Sequence, residues 1–163
     1  MVWILLALAV TLPFGVAALT GAPWLPTLKR ETDSALAIAD LKPGQTIIDL
    51  GSGDGRLLLA AARRGLRGSG YEINPFMYLI SLIVTFRYRR RITIHPADFW
   101  RARLPPTDAV YVFLLPRLMP DLERKLTSEL VKPTPVISLA FEFPGRRPVT
   151  QVGSVRRYFF GES

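Results

Sequence analysis

The stretch Gln45-Thr-Ile-Ile-Asp-Leu-Gly-Ser-Gly-Asp-Gly55, with Arg56-Leu-Leu-Leu-Ala-Ala-Ala-Arg-Arg64 after it, constrains the fold of this chain more than any other feature. A short, apolar, β-branched run ending in alternate glycines reads as a buried strand feeding a tight loop, and the Leu/Ala-rich run reads as a helix. Glycine lacks a Cβ, so such a loop brings bare backbone close to a ligand at the carboxyl edge of a sheet. The same alternation continues downstream. Residues 68–72 read as a second strand with an acidic end, 75–88 as a helix with Pro75 in its first turn, and 91–95 as a third strand. Residues 108–114 read as a fourth strand, 117–130 as a helix and 135–143 as a fifth strand. Strands alternating with helices predict a mostly parallel α/β sheet, which residues 149–160 close as an antiparallel hairpin broken at Gly153. Upstream, Thr32 or Asp33 is the expected N-cap of a short amphipathic helix reaching about Leu41, and Lys42-Pro43-Gly44 a turn.

The loop has the spacing Gly-x-Gly-x-Gly, and Asp49 stands two positions before its first glycine. A pyrophosphate here would be repelled by Asp49 and Asp54. A ligand that carries an ammonium and a sulfonium and no phosphate is favoured by the same carboxylates, which points to S-adenosylmethionine. Glu72, at the end of the second strand, is placed to accept hydrogen bonds from both ribose hydroxyls; a solvated turn acid is the plainer alternative. Asp98, in Pro96-Ala-Asp-Phe-Trp100, is placed to take the adenine amino group, with Phe99 or Trp100 against the ring. Its alternative is a capping aspartate beside a core aromatic.

This constellation resembles the class I methyltransferase superfamily over about residues 35–160, which implies a Rossmann-like sheet and S-adenosylmethionine as cofactor. More narrowly, the apolar N-terminus, Pro23-Trp-Leu-Pro-Thr27, residues 49–56, Gly70-Tyr-Glu-Ile-Asn-Pro75, Asp98-Phe-Trp100 and Phe141-Glu-Phe-Pro144 are similar to a membrane-associated family. Its members are protein-lysine methyltransferases acting on the ATP synthase c-subunit and the adenine nucleotide carrier. The resemblance implies that Pro26 and Thr27 lie in a segment folding over the cofactor and that Asp49, Gly51 and Gly53 form its loop. It also implies Glu72 on the ribose and Asp98 near adenine, with Ser52, Ile73, Asn74 and Phe99 among the cofactor-binding residues. Two departures stand out. Glu142 puts a charge where the motif is expected to be neutral, and Phe113-Leu-Leu-Pro116 lacks the Asn/Asp-Pro-Pro-Tyr string of amino-adenine and glutamine methyltransferases. For a lysine substrate the amine must be neutral and oriented by a carboxylate, and Glu142 is the candidate catalytic residue for that role.

Residues 2–19 carry no charge, and at about 1.5 Å per residue a helix of that length nearly spans a hydrocarbon core of ~30 Å. The expected organisation is an apolar membrane-anchor helix over residues 1–20, transmembrane or inserted, a linker and cofactor-covering segment over 21–34, and a methyltransferase domain over 35–163. A secretory signal fits less well, because only the terminal amine precedes the apolar run. Pro13 and Gly15 leave room for a half-buried hairpin or an interfacial helix. Lys29-Arg30 favours a catalytic domain on the cytoplasmic side, or the matrix side in a mitochondrion. Residues 76–86 are apolar but too short to span, and read as a core helix.

The absence of cysteine excludes disulfides, thiolate zinc sites and cysteine nucleophiles, and the single His95 cannot build a multi-histidine metal site. A net charge of +8 asks for an anionic partner. The runs Arg87-Tyr-Arg-Arg-Arg91, Arg101-Ala-Arg103, Arg146-Arg147 and Arg156-Arg157 suit anionic lipid or RNA phosphates, although a solvated face is the default for each. The expected function is methyl transfer from S-adenosylmethionine to a lysine of a membrane-associated protein such as the ATP synthase c-subunit. RNA methylation and a non-catalytic cofactor-binding membrane scaffold are the alternatives.

Overall fold

In a computed structural model, residues 29–161 are described and form α1 (Lys29–Ala39), β1 (Thr46–Leu50), α2 (Arg56–Arg63), β2 (Arg67–Tyr71) and α3 (Pro75–Thr85). There follow β3 (Ile92–His95), β4 (Ala109–Val112), α4 (Met119–Glu129), β5 (Thr134–Leu139), β6 (Thr150–Val152) and β7 (Val155–Phe160). The strands make one sheet in the order β3-β2-β1-β4-β5-β7-β6. Pairing is parallel from β3 through β5, and β6 and β7 add the expected antiparallel hairpin. The order reverses between β1 and β4, which opens a crevice at their carboxyl ends. Successive side chains of β1 point to opposite faces: Ile47 joins Leu36, Leu57 and Leu58 under α1 and α2, while Ile48 and Leu50 join Leu122 and Leu126 under α4.

Several boundaries differ from expectation for local reasons. α1 already includes Lys29 and takes in Thr32, because Thr32, Ala35, Leu36 and Ala39 form one buried helical face. Asp33, instead of capping, bridges Arg64 at 2.9 Å. β5 stops at Leu139, well before Phe143. Ala140 adopts φ +69°, its N–H donates to the Ser154 carbonyl at 2.8 Å, and the Phe141 N–H turns back onto the Leu139 carbonyl. The chain leaves the sheet there, and Phe143 is buried edge-on against Tyr158 and Phe160, with ring centroids 5.0 Å apart in each pair.

The helix expected in the core, over residues 76–86, is turned the other way. α3 buries Met77, Ser81 and Thr85 and exposes Leu79, Leu82 and Ile83, and Phe86, in the short 3-10 turn that follows it, is exposed as well. The cause lies at the start of α2. A Cβ on Gly55 would stand 3.1 Å from both Ser81 Cβ and Thr85 Cγ2, so only small side chains fit at positions 81 and 85, where α3 meets Gly55. Both hydroxyls are satisfied within the helix, Ser81 donating to the Tyr78 carbonyl and Thr85 to the Ser81 carbonyl, at 2.7 Å each. Among the described residues no helix is long and apolar enough to cross a membrane. The anchor expected over residues 1–20 lies outside the described residues, as do Pro26 and Thr27.

Candidate functional site

The crevice is built on the loop that leaves β1. The N–H groups of Gly51 and Ser52 both donate to the Tyr71 carbonyl at 3.0 Å, stitching the loop to the end of β2. Gly51 has φ +84°, a left-handed conformation that costs any side chain strain. Opposite Asp49 in the parallel register stands Gly70, where a Cβ would lie 2.6 Å from Ser52 Oγ and 2.7 Å from Leu58 Cδ1. The missing side chain on β2 is what lets the loop fold down against the sheet.

Glu72 is the second part of the site. Its Oε2 accepts from the Gly53 N–H and its Oε1 from the Asn74 N–H, each at 2.8 Å. A carboxylate has about four acceptor positions, so these bonds leave it capacity for a further donor. Asn74 is spent structurally: its Oδ1 caps α3 by accepting from the N–H groups of Phe76 and Met77, while Ile73 beside it is exposed.

The electrostatics are unusual for a loop. Burial pushes the Asp49 carboxyl well above the usual carboxylate range, and repulsion from Glu72 and Asp54 adds to it. Burial also raises Glu72, against the N–H bonds from Asn74, Gly53 and Ile73 that favour its charged form. Asp54 is held by the Arg56 Nε, 3.0 and 2.9 Å from its two oxygens. Ser52 Oγ is buried without a hydrogen-bond partner. Bare backbone, two buried carboxyl groups that repel each other when charged and an orphaned hydroxyl make a site that gains by taking a cation bearing hydroxyl groups. No cluster able to hold a metal ion occurs among the described residues.

Asp49, Gly51, Ser52, Gly53 and Glu72 are thus brought together, as expected. Asp98 and Phe99 sit past the end of β3, next to β2, and have local roles. Asp98 Oδ1 accepts from the Trp100 N–H at 3.0 Å as a turn cap, and Phe99 is a core residue whose ring lies 4.7 Å from that of the less buried Trp100. Glu142 follows the exit of β5, 63 % exposed, and pairs with Arg156 at 3.0 Å. Sequence reasoning missed Phe113 and Phe141, which stack with centroids 6.4 Å apart where β4 and β5 end. In the sequence the two fall within the stretches that read as the fourth and fifth strands, and nothing local marks them as a pair.

Two of the four basic runs are structural. Arg157 donates to the Ile38 carbonyl and Thr150 Oγ1, Arg156 to the carbonyls of Ala140 and Ser154, and Arg146 to the Phe159 carbonyl and Thr127 Oγ1. Arg87, Arg89, Arg90, Arg91, Arg101 and Arg103 are exposed.

Residues 49–150 match the ANTKMT methyltransferase domain family. The ATP synthase C-subunit lysine N-methyltransferase of Rattus norvegicus is 35% identical over 86% of this chain and 66% of its own length. The adenine nucleotide translocase lysine N-methyltransferase of Mus musculus is 36% identical over 80% of this chain and 58% of its own. The chain therefore spans less than two thirds of the length of these mammalian relatives. A protein-lysine N-methyltransferase of Saccharolobus islandicus is 30% identical over 77% of this chain and 81% of its own length. Among solved structures, an RNA methyltransferase from Salinibacter ruber in complex with S-adenosyl-L-homocysteine superposes with a TM-score of 0.81 at 30% identity, covering 85% of this chain and 95% of that one. With the loop, the sheet order and these relatives in agreement, the chain belongs to the ANTKMT methyltransferase domain family and has its Rossmann-like fold.

Proposed function

We propose that this chain is an S-adenosylmethionine-dependent protein-lysine N-methyltransferase acting on a membrane-associated protein. The observation that carries this reading is the pair of buried carboxylates, Asp49 and Glu72, around a glycine loop in a family whose relatives bear lysine N-methyltransferase names. The residues fit the cofactor. Glu72 has acceptor capacity for a ribose hydroxyl, Asp49 offers charge to the ammonium and Ser52 Oγ lacks a partner, while Asp98, Phe99 and Ile73, which follow the ends of β3 and β2, are assigned to the adenosine end in this reading. When bound, the cofactor supplies an electrophilic methyl on a sulfonium.

What the chain's own residues add is positioning. Gly51 and Gly53 let the backbone approach without a side chain in the way, and the Phe113–Phe141 pair makes an apolar wall that holds water back. Next to that wall a lysine loses its proton more readily, because an ammonium is poorly solvated there. Glu142, at the exit of β5, orients the incoming amine. Residues 2–19 hold the enzyme at the membrane with its catalytic domain on the cytoplasmic or matrix side, and Pro26 and Thr27 lie in the segment covering the cofactor.

The ATP synthase c-subunit and the adenine nucleotide translocase, named by the relatives, are the first substrates to assay. RNA is a second reading, favoured by the name of the Salinibacter ruber protein and disfavoured by the structural engagement of Arg146, Arg156 and Arg157. The test offers both membrane proteins and total RNA with labelled cofactor, followed by mass spectrometry. Methyl-lysine in either protein is expected; label in RNA alone would overturn the proposal.

A further inference from the structure

We infer that α3 is a membrane-seating element, which lays its exposed face on an anionic lipid bilayer and brings the cofactor crevice to the headgroup layer. Leu79, Leu82 and Ile83 of α3, with Phe86 in the 3-10 turn that continues it, recur at the i, i+3, i+4, i+7 spacing of a single helical stripe, yet they are 57, 38, 77 and 63 % exposed. Two of the three residues that α3 turns inward, Ser81 and Thr85, are polar, while its exposed stripe is apolar. Such a stripe in water is the surface feature that most needs a partner.

The charges around it identify that partner. Residues 73–97 contain no aspartate or glutamate, and the stripe runs straight into exposed Arg87, Arg89, Arg90 and Arg91. The Arg89 guanidinium stands over the Phe86 ring at 4.7 Å, so charge and apolar surface present together. Arginines beside a short apolar helical stripe match phosphate headgroups above acyl chains. RNA would meet the arginines but leave the aliphatic stripe in water. With 11 residues α3 is too short to cross a bilayer, so it lies along the interface.

The position of α3 gives the contact a consequence. Its first turn is tied to the site, since the Asn74 N–H donates to Glu72 Oε1 while Asn74 Oδ1 caps the helix. Seating α3 therefore sets the height of the crevice above the acyl chains, independently of how residues 2–19 are held. The inference does not rest on the lysine reading, and methyl transfer to the ATP synthase c-subunit in the same preparation reports on that reading separately.

Because the chain has no cysteine, a single introduced thiol is a unique label. The full chain carrying Ile83→Cys, and a control carrying Val131→Cys at an 86 % exposed position after α4, are each labelled with an environment-sensitive fluorophore and reconstituted into phosphatidylcholine vesicles with or without phosphatidylglycerol. With phosphatidylglycerol, the label at 83 is expected to be quenched by doxyl lipid and shielded from aqueous iodide, and the label at 131 to show the reverse. Changing Arg87, Arg89 and Arg90 to Gln should return the lipid quenching at 83 to its value on neutral vesicles. Iodide quenching at 83 would show the face in water, and shielding from both quenchers would show it covered by protein, either a second copy or residues 2–19. Equal lipid quenching with and without phosphatidylglycerol would remove the role of the arginines. Each of these three results overturns the inference.

Discussion

Glu72 Oε2 accepts from the Gly53 N–H at 2.8 Å, so the acid that ends β2 and the loop that leaves β1 form one hydrogen-bonded unit. A ligand held by either one is held by both. Replacing Glu72 by Gln turns one acceptor into a donor facing the Gly53 or Asn74 N–H, and replacing it by Ala leaves both without their acceptor. Hydrogen bonds to a charged group contribute about 1.5–3 kcal/mol, so both variants should weaken S-adenosylmethionine binding by roughly 10- to 100-fold. Isothermal calorimetry showing wild-type affinity in both would remove Glu72 from the site.

The buried acids make a prediction about pH. Asp49 and Glu72 have raised pKa values in the fold, so the folded chain binds more protons than the unfolded one between the ordinary carboxylate pKa near 4 and the raised values. Stability is therefore full below that window and falls as pH rises through it. Asp49→Asn should raise the melting temperature of the ligand-free protein at about pH 8, with a gain that shrinks towards pH 4–5, and should weaken cofactor binding. Lower stability than wild type at pH 8 would contradict the repulsion argument.

Binding of a cation should reverse the same shift. The ammonium and sulfonium favour the charged carboxylates, so cofactor binding is expected to release protons and to tighten with pH above about 4. Calorimetry in buffers of different ionisation enthalpy measures this directly, and a binding heat independent of buffer would refute it.

Gly70→Ala tests the close approach of loop and sheet. Its Cβ would stand 2.6 Å from Ser52 Oγ and 2.8 Å from Ser52 Cβ, with the Leu58 methyl at 2.7 Å, and such overpacking costs about 1–3 kcal/mol. Adding Ser52→Gly should restore part of that loss in urea denaturation. An additive double mutant would mean that the two residues do not touch.

Glu142 is tested by rate. If its carboxylate orients the amine, Glu142→Gln and Glu142→Ala should lower kcat by about 10²-fold while cofactor Kd stays constant. Unchanged turnover on a lysine peptide from the ATP synthase c-subunit would make the Arg156 pair purely structural.

Much of the architecture was legible because its signals are local. A β-branched run closed by glycine marks β1 wherever it packs, and Asn74-Pro75 marks the start of α3. What could not be read depended on the neighbour. Helical spacing shows that Leu79, Ile83 and Phe86 share a face, but only the missing side chain at Gly55, distant in sequence, decides that the opposite face packs. The end of β5 was hidden likewise: the Ala140 N–H donates to Ser154 in the turn before β7, and its carbonyl accepts from Arg156 on β7. In the site, Asp49 and Glu72 were legible as paired acids, whereas Phe113 and Phe141 meet only after β4 and β5 are aligned.

The Ile38 carbonyl in the last turn of α1 is satisfied by Arg157 on β7, at 2.9 Å. During vectorial synthesis on the ribosome α1 is made early, but the guanidinium that ties down its end emerges only with the last strand. β7 also pairs antiparallel with β5, made well before it, and carries β6 at the sheet's edge. Contacts between such distant parts of a chain close late and slow folding. Until they close, the nascent sheet has an open edge along β5 and an unfastened first helix, which makes that interval the natural point for a chaperone to act.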